Sequence, residues 1–419
     1  MFRQMSERAP KITRVSHSSN TESSQLRAWR NAVFLVFFSC GLALASYMSR
    51  VPHIRDVLGA STAQMGVLAA AMAVGSIGGM LGSNNVMSRL GSKGTLRWSL
   101  STLTAGVLIA GVGATVASYV LLFAGLVVFG VGMGLTDVAM NVSAAANEQR
   151  LHRNIMPLFH ALFSIGAMAG AGLGAVAELL GVPVILHVGT LAVVCLVGVL
   201  LTNRFVQAEL QPARGEVDSA TRVSRLVIWK QPLTWFIGLI ILGMALAEGS
   251  ANDWLALAMV DGHGQTNAQG AISLGIFLTA MTVGRVLGIR FLDRFGRVPV
   301  LRASAVLAAI GLSMVIFLSH PVLVTVGIVA WGLGSALGFP VGMSAAADDL
   351  KHAAARVSAV ATIGYIAFLA GPPLIGFLGE EVGLLRALLV VLVFIAIAGI
   401  ASPAARRRET PMYADQHAG

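Results

Sequence analysis

Asp293-Arg294-Phe295-Gly296-Arg297 has a near copy, Ser88-Arg89-Leu90-Gly91-Ser92-Lys93, 205 residues earlier in the chain. Leu96-Arg97 matches Leu301-Arg302, and Ala63-Gln64 matches Ala268-Gln269, at that same offset of 205. Gly130 and Gly132 pair with Gly332 and Gly334 at an offset of 202. Ser143-Ala144-Ala145-Ala146 pairs with Ser344-Ala345-Ala346-Ala347 at 201. Offsets this close, sustained over most of each half, describe a duplicated unit. The halves are 28–203 and 232–402, joined by the polar stretch 204–231.

What fills each half follows from composition. Of 419 residues, 56% are apolar and only 11% are charged, where a soluble domain carries about a quarter charged. Mean hydropathy is +0.79. Apolar stretches recur at about 20 residues, enough to cross roughly 30 Å of hydrocarbon as helices. They lie near 28–50, 62–86, 95–115, 117–146, 157–180 and 183–203, and again near 232–259, 268–292, 300–319, 321–346, 357–381 and 384–402. The expected fold is an all-α membrane protein of twelve transmembrane helices in two six-helix halves. Strand-type alternation is absent, which excludes a membrane barrel.

A net charge of +10 would suggest nucleic acid in a soluble protein. Here its position explains it. Alternate loops divide the Lys and Arg residues 26 to 3, the three being Arg50, Arg55 and Arg386. The positive-inside rule then predicts cytoplasmic termini (1–27 and 403–419), a cytoplasmic loop 204–231, and no nucleic-acid partner. Residues 1–27 read as a disordered tail and contain no cleavable leader. Cys40 and Cys195 lie within spans and read as inert thiols.

The loop sequence Asp293-Arg294-Phe295-Gly296-Arg297 resembles the D-R-x-G-R motif of the major facilitator superfamily. The resemblance covers essentially all of 28–402. It implies a charge network that latches the cytoplasmic side, carried by Asp293, Arg294, Gly296 and Arg297, with Arg89, Gly91 and Lys93 in the degraded copy. Ser88 replaces the usual acid there, which implies a weaker latch. The alternative reading is that both loops simply solvate tight turns. The family also implies that the first, fourth, seventh and tenth spans line a central cavity.

Ionisable residues inside hydrocarbon cost about 2.5–3.5 kcal/mol each and need a reason. They fall on those cavity spans: Asp137 on the fourth, and Glu248 and Asp253 on the seventh. Arg285 lies in the eighth, and Arg50 ends the first. Gly130, Gly134, Asp137 and Asn141 share one helical face, and Glu248 and Asn252 repeat the four-residue spacing. His160, one turn inside the fifth span, is expected at the depth of Asn141. These three could hold and release a proton, or could form a permanent bridge between helices. Trp254 and Tyr365 could stack on a solute or anchor helix ends.

Leu135-Thr-Asp-Val-Ala-Met-Asn141 resembles the acid-x-x-x-Asn segment of the fucose–proton symporter branch. Ser49-Arg-Val-Pro-His-Ile-Arg55, Glu248-Gly-Ser-Ala-Asn-Asp-Trp254 and Gly364-Tyr-Ile-Ala-Phe-Leu-Ala-Gly-Pro-Pro373 resemble a nearby bacterial branch that includes a membrane protein associated with rhizopine metabolism. The first span offers Ser46 and Tyr47 where the fucose permease has an acid. The glycines Gly166, Gly170 and Gly174 read as a close-packing face. Gly371-Pro372-Pro373 reads as a break in the eleventh span, a kink or pivot.

The function expected is secondary transport of a small polar solute, sugar- or polyol-like, coupled to protons, in a bacterial inner membrane. Efflux of a metabolite or drug is the alternative within transport, and a receptor or scaffold the alternative outside it. No nucleotide loop or metal-ligand spacing suggests an enzyme or a cofactor; the proton gradient is the expected energy source. Partners would be membrane lipid, the solute and protons, with the chain a monomer.

Overall fold

Ser61 and Thr266 begin equivalent helices with the same device. Each side chain accepts a hydrogen bond from the backbone N–H of the glutamine three residues on, Gln64 or Gln269. That glutamine accepts one from the cap backbone in return. Such a box satisfies N–H groups that a helix start leaves unpaired. Gly91 (φ 63°, ψ 172°) and Gly296 (φ 77°, ψ 174°) later make the same positive-φ turn, which glycine adopts at little cost. The sequence repeat is a repeat of backbone geometry.

The computed structural model describes residues 15–151, 155–207, 227–349 and 352–406. The first half comprises α1 (Val15–Met48), α2 (Val51–Leu58), α3 (Thr62–Thr115), α4 (Tyr119–Leu151), α5 (Met156–Leu179) and α6 (Val184–Thr202). The second comprises α7 (Pro232–His263), α8 (Asn267–Phe295), α9 (Arg297–Phe317), α10 (Pro321–Ser335), α11 (Gly338–Ala346), α12 (Ala353–Val382), α13 (Leu384–Ala387) and α14 (Leu389–Ala401). Among the described residues, eleven apolar stretches are long enough to span. One of them, α3, holds the second and third spans on either side of Gly91, and dividing it there gives twelve crossings.

Three expectations change in detail. Helix α1 begins at Val15, inside the segment 1–27 read as a disordered tail. Its lower part is anchored: Asn147 donates to the Leu26 carbonyl (3.0 Å), and buried Trp29 donates to Ser143 (2.9 Å). Residues 1–14, most of the central loop (208–226) and the end of the C-terminal tail (407–419) lie outside the described residues. The tenth span is two helices, α10 and α11. Pro340 cannot donate to the carbonyl of Ala336, and the chain breaks there. Pro372 and Pro373 do not end their helix: α12 runs through both. Helices in apolar surroundings tolerate internal proline where neighbours compensate the freed groups.

Small residues set the packing. Gly166, Gly170 and Gly174 put the backbone of α5 against Phe38, Leu42 and Ser49 of the α1 region, the close approach expected of that face. The two halves meet where α3 crosses α12 and where α5 crosses α8. These crossings are equivalent under the duplication. At the first, a side chain on Gly66 would meet the Pro372 carbonyl at 2.8 Å and Gly376 Cα at 3.2 Å. The proline-containing stretch of α12 is thus the seat of a tight contact between halves.

Candidate functional site

One interior carboxylate on the cavity helices, Glu248, finds an ion-pair partner. Arg285 of α8 donates through Nη2 to Glu248 Oε1 of α7 at 2.9 Å. Neither is sealed away: the side chains are 35% and 19% exposed. Together with Asn252 they line a cavity of about 50 Å³ whose other wall is Leu44 and Met48 of α1 with Phe163 and Ser164 of α5. The cavity therefore lies between the halves. An ion pair here lowers the cost of carrying two charges at membrane depth and leaves free donor and acceptor sites.

Asp137 and Asn141 are half-buried on α4, and the predicted spacing brings them together. Asn141 donates to the Asp137 carbonyl at 2.8 Å and lies 3.3 Å from its Oδ1. The same face is divided along its length. Gly130 and Gly134 are buried against Met72 and Ser76 of α3, while Asp137 and Asn141 are partly open. Asp137 is within electrostatic reach of Tyr365 on α12, in the other half. His160 does not join this group. It is exposed, sets its ring on edge to Phe37 (5.3 Å) and is within electrostatic reach of Arg285.

Asp253 and Trp254 occupy a second, smaller cavity of about 20 Å³ with Tyr47, Met65 and Met72. Met48 borders both cavities. Trp254 is 1% exposed, and its indole N–H has no partner among the described residues. Tyr47 stacks on edge with Phe129 (6.1 Å). Both aromatics are buried where the halves meet.

Arg50 is a correction. It is fully buried, with Nε 2.7 Å from Glu178 Oε1 and Nη2 donating to the Val182 carbonyl at 2.8 Å. His53 lies 3.3 Å from the other oxygen of Glu178. Arg50 therefore clamps the α1–α2 corner to the end of α5, within one half, away from the central cavity. A buried guanidinium needs a fixed carboxylate, and Glu178 supplies it.

The ends of the molecule differ. At the end carrying α2, bonds join the halves: Arg55 with Asp261, Asn267 with Asp56 (3.0 Å), and the Ala63 N–H with Glu380 (3.3 Å). At the end carrying the termini, several bonds among the described residues run inside each half. Lys93 donates to the Arg204 carbonyl (3.0 Å), and Asn203 donates to that of Lys93 (3.0 Å). Arg297 holds Asp348 (2.5 Å) and Ser344 (2.8 Å). Asp349 bonds His352 at 2.9 Å, which holds its carboxyl below the usual range against the opposing effect of burial, with help from Arg356. Asp293 is exposed and has no hydrogen bond or ion pair among the described residues, and Arg294 rests over the Phe295 ring. Exposed Arg89 borders a groove with Asn85 and Trp98.

Sequence alone places Arg285 inside a span without assigning it to the site. The signal is present nonetheless: an interior cation in a chain with interior carboxylates needs one of them. Glu178, Asp261 and Glu380 give no such signal, because each sits near a helix end where a charge costs little.

The chain matches the model of the Major Facilitator Superfamily over residues 33–364 and 254–417. It is 30% identical over 349 residues to an uncharacterised MFS-type transporter of Yersinia pestis, covering 83% of this chain and 88% of that one. It is 28% identical over 373 residues to the membrane protein MosC of Rhizobium meliloti, covering 88% of each. Among solved structures it is similar to a mutant form of the nucleoside transporter NupG (TM-score 0.74, 15% identity, 91% of this chain and 98% of that one). It is also similar to a variant of the fucose:proton symporter FucP of E. coli (TM-score 0.63, 17% identity, 90% and 98%).

Proposed function

This chain belongs to the Major Facilitator Superfamily, and from that premise we propose that it carries a small polar solute of the sugar or polyol kind, together with a proton, across a bacterial inner membrane. The observation that carries this reading is the Glu248–Arg285 pair with Asn252 in a cavity walled by both halves. A neutral polar solute exchanges its water for such fixed donors and acceptors. Solved relatives that share the fold include a nucleoside transporter and a fucose:proton symporter, which supports a polar cargo. The 26-to-3 division of basic residues supports cytoplasmic termini. Purified protein in liposomes, screened for uptake of labelled sugars and polyols under an imposed proton gradient, tests the proposal. Uptake that ignores the gradient for every solute contradicts it.

The unlike ends support an alternating-access cycle. Bonds between halves close the end carrying α2, which, with the termini in the cytoplasm, supports reading this conformation as the inward-open one and Asp293 as free of its latch. Two substitutions should then act in opposite directions. Asp261→Asn removes a bond present only in this state, worth about 1 kcal/mol at a partly exposed site, so the outward-open fraction should rise roughly fivefold. Asp293→Asn removes a charge that acts only in the other state and should favour this one. With Cys40 and Cys195 replaced by Ser, labelling of Ala69→Cys by an impermeant thiol reagent should speed up in the first variant and slow in the second. Equal rates in both would reduce the two loops to solvated turns.

A further inference from the structure

Arg285 and His160 approach the central cavity from opposite halves. Ser164 lines the same cavity as Arg285, and His160 lies one turn before it on α5, with the Ser164 hydroxyl bonded to the His160 carbonyl (3.1 Å). Neither ring nitrogen of His160 has a hydrogen-bond partner among the described residues, and the ring is exposed. Arg285 uses Nη2 on Glu248 and keeps its remaining donors for the cavity. A permanent cation, Arg285, thus stands on one wall, His160, whose ring can donate an N–H bond, lies one turn along α5 from Ser164 on the other, and Glu248, the acid beside Arg285, is already engaged.

We propose that the transported solute is a polyhydroxylated acid whose carboxylate seats between Arg285 and His160. The proposal rests on the polar-solute reading above and names its substrate class. Guanidinium takes a carboxylate through two parallel N–H bonds, a geometry that a hydroxyl cannot match. A cationic solute would meet Arg285 as a like charge and find one Glu248 oxygen taken. Glu248 keeps Arg285 extended and neutralised while the cavity is empty. The carboxylate then takes the guanidinium donors that Glu248 leaves free and reaches the His160 ring across the gap. Because α5 and α8 belong to different halves, an anion bridging them draws the open end together, which couples binding to closure.

Thermal unfolding of the purified full chain, measured with matched pairs of solutes, tests this. The pairs are D-gluconate against D-glucitol and D-galacturonate against D-galactose, at equal ionic strength. The acidic member of at least one pair should raise the midpoint by several degrees and the neutral member by much less. The shift should vanish in Arg285→Gln and shrink in His160→Gln. His160 is exposed and unpaired, so its variant should fold even if Arg285→Gln does not; Arg285→Gln with Glu248→Gln keeps the pair neutral as a further control. Stabilisation by the neutral members alone overturns the carboxylate seat and leaves the polar-solute reading standing. An acid effect that survives either variant at full size overturns the paired subsite. No shift with any of the four solutes overturns the substrate class proposed here, and the liposome screen then decides the broader reading separately.

Discussion

Glu178→Ala should lower the thermal midpoint of the detergent-purified protein more than any substitution in the central cavity. Arg50 is fully buried and Glu178 is 8% exposed, and they lie 2.7 Å apart. Removing one partner of such a pair leaves an uncompensated charge without water, a loss of about 3–5 kcal/mol. Glu178→Gln should fall in between, since the amide dipole keeps a polar oxygen beside Arg50 but cannot balance its charge. The double variant Arg50→Met with Glu178→Leu should recover most of the loss, because neither charge then needs burying. Transport should fall only as far as the amount of folded protein falls. An unchanged midpoint in Glu178→Ala would show that the clamp contributes nothing to the fold.

This clamp also marks where the sequence stops being readable. Arg50 stands out as an intramembrane charge at the end of the first span. Its partner lies 128 residues away, and no periodicity pairs them. Asp137 and Asn141 are legible as a pair because one helix places residues four apart on the same side. Glu248 and Arg285 sit on different helices, so only the balance of charge hints at their contact. His160 goes the other way: the sequence sets it beside Asn141, but the rotation of α5 about its axis is not readable, and its ring packs on edge against Phe37 instead. The duplication is legible for a physical reason as well. The turn at Gly91 and Gly296 and the caps at Ser61 and Thr266 restrict which residues fit, so both copies kept them.

Asp137→Asn should abolish accumulation against a gradient while leaving solute exchange near its original rate. The amide keeps the size of the side chain and can still contact Asn141, which already bonds the Asp137 carbonyl. What it loses is the ability to carry a proton. A gradient of one pH unit is worth about 1.4 kcal/mol, enough for roughly tenfold accumulation with one proton per solute. That tenfold ratio should collapse to about one in the variant. Exchange of inside for outside solute needs no net proton movement and should survive. Glu248→Gln should behave differently. It removes the charge that holds Arg285 extended into the cavity and should weaken binding by about tenfold or more, depressing exchange and accumulation together. If Asp137→Asn still concentrates solute, the acid is a bridge within α4 and its neighbours, and coupling resides elsewhere.

Proton movement driven by the solute itself is the most direct test of the account. Vesicles containing purified protein and a trapped pH dye, with no gradient imposed, would receive the transported solute on the outside at saturating concentration. The account predicts that the lumen acidifies as solute enters in the wild-type protein. It also predicts that Asp137→Asn vesicles preloaded with unlabelled solute exchange it for labelled solute with no change in dye signal. Solute entry into wild-type vesicles with no movement of protons would contradict it.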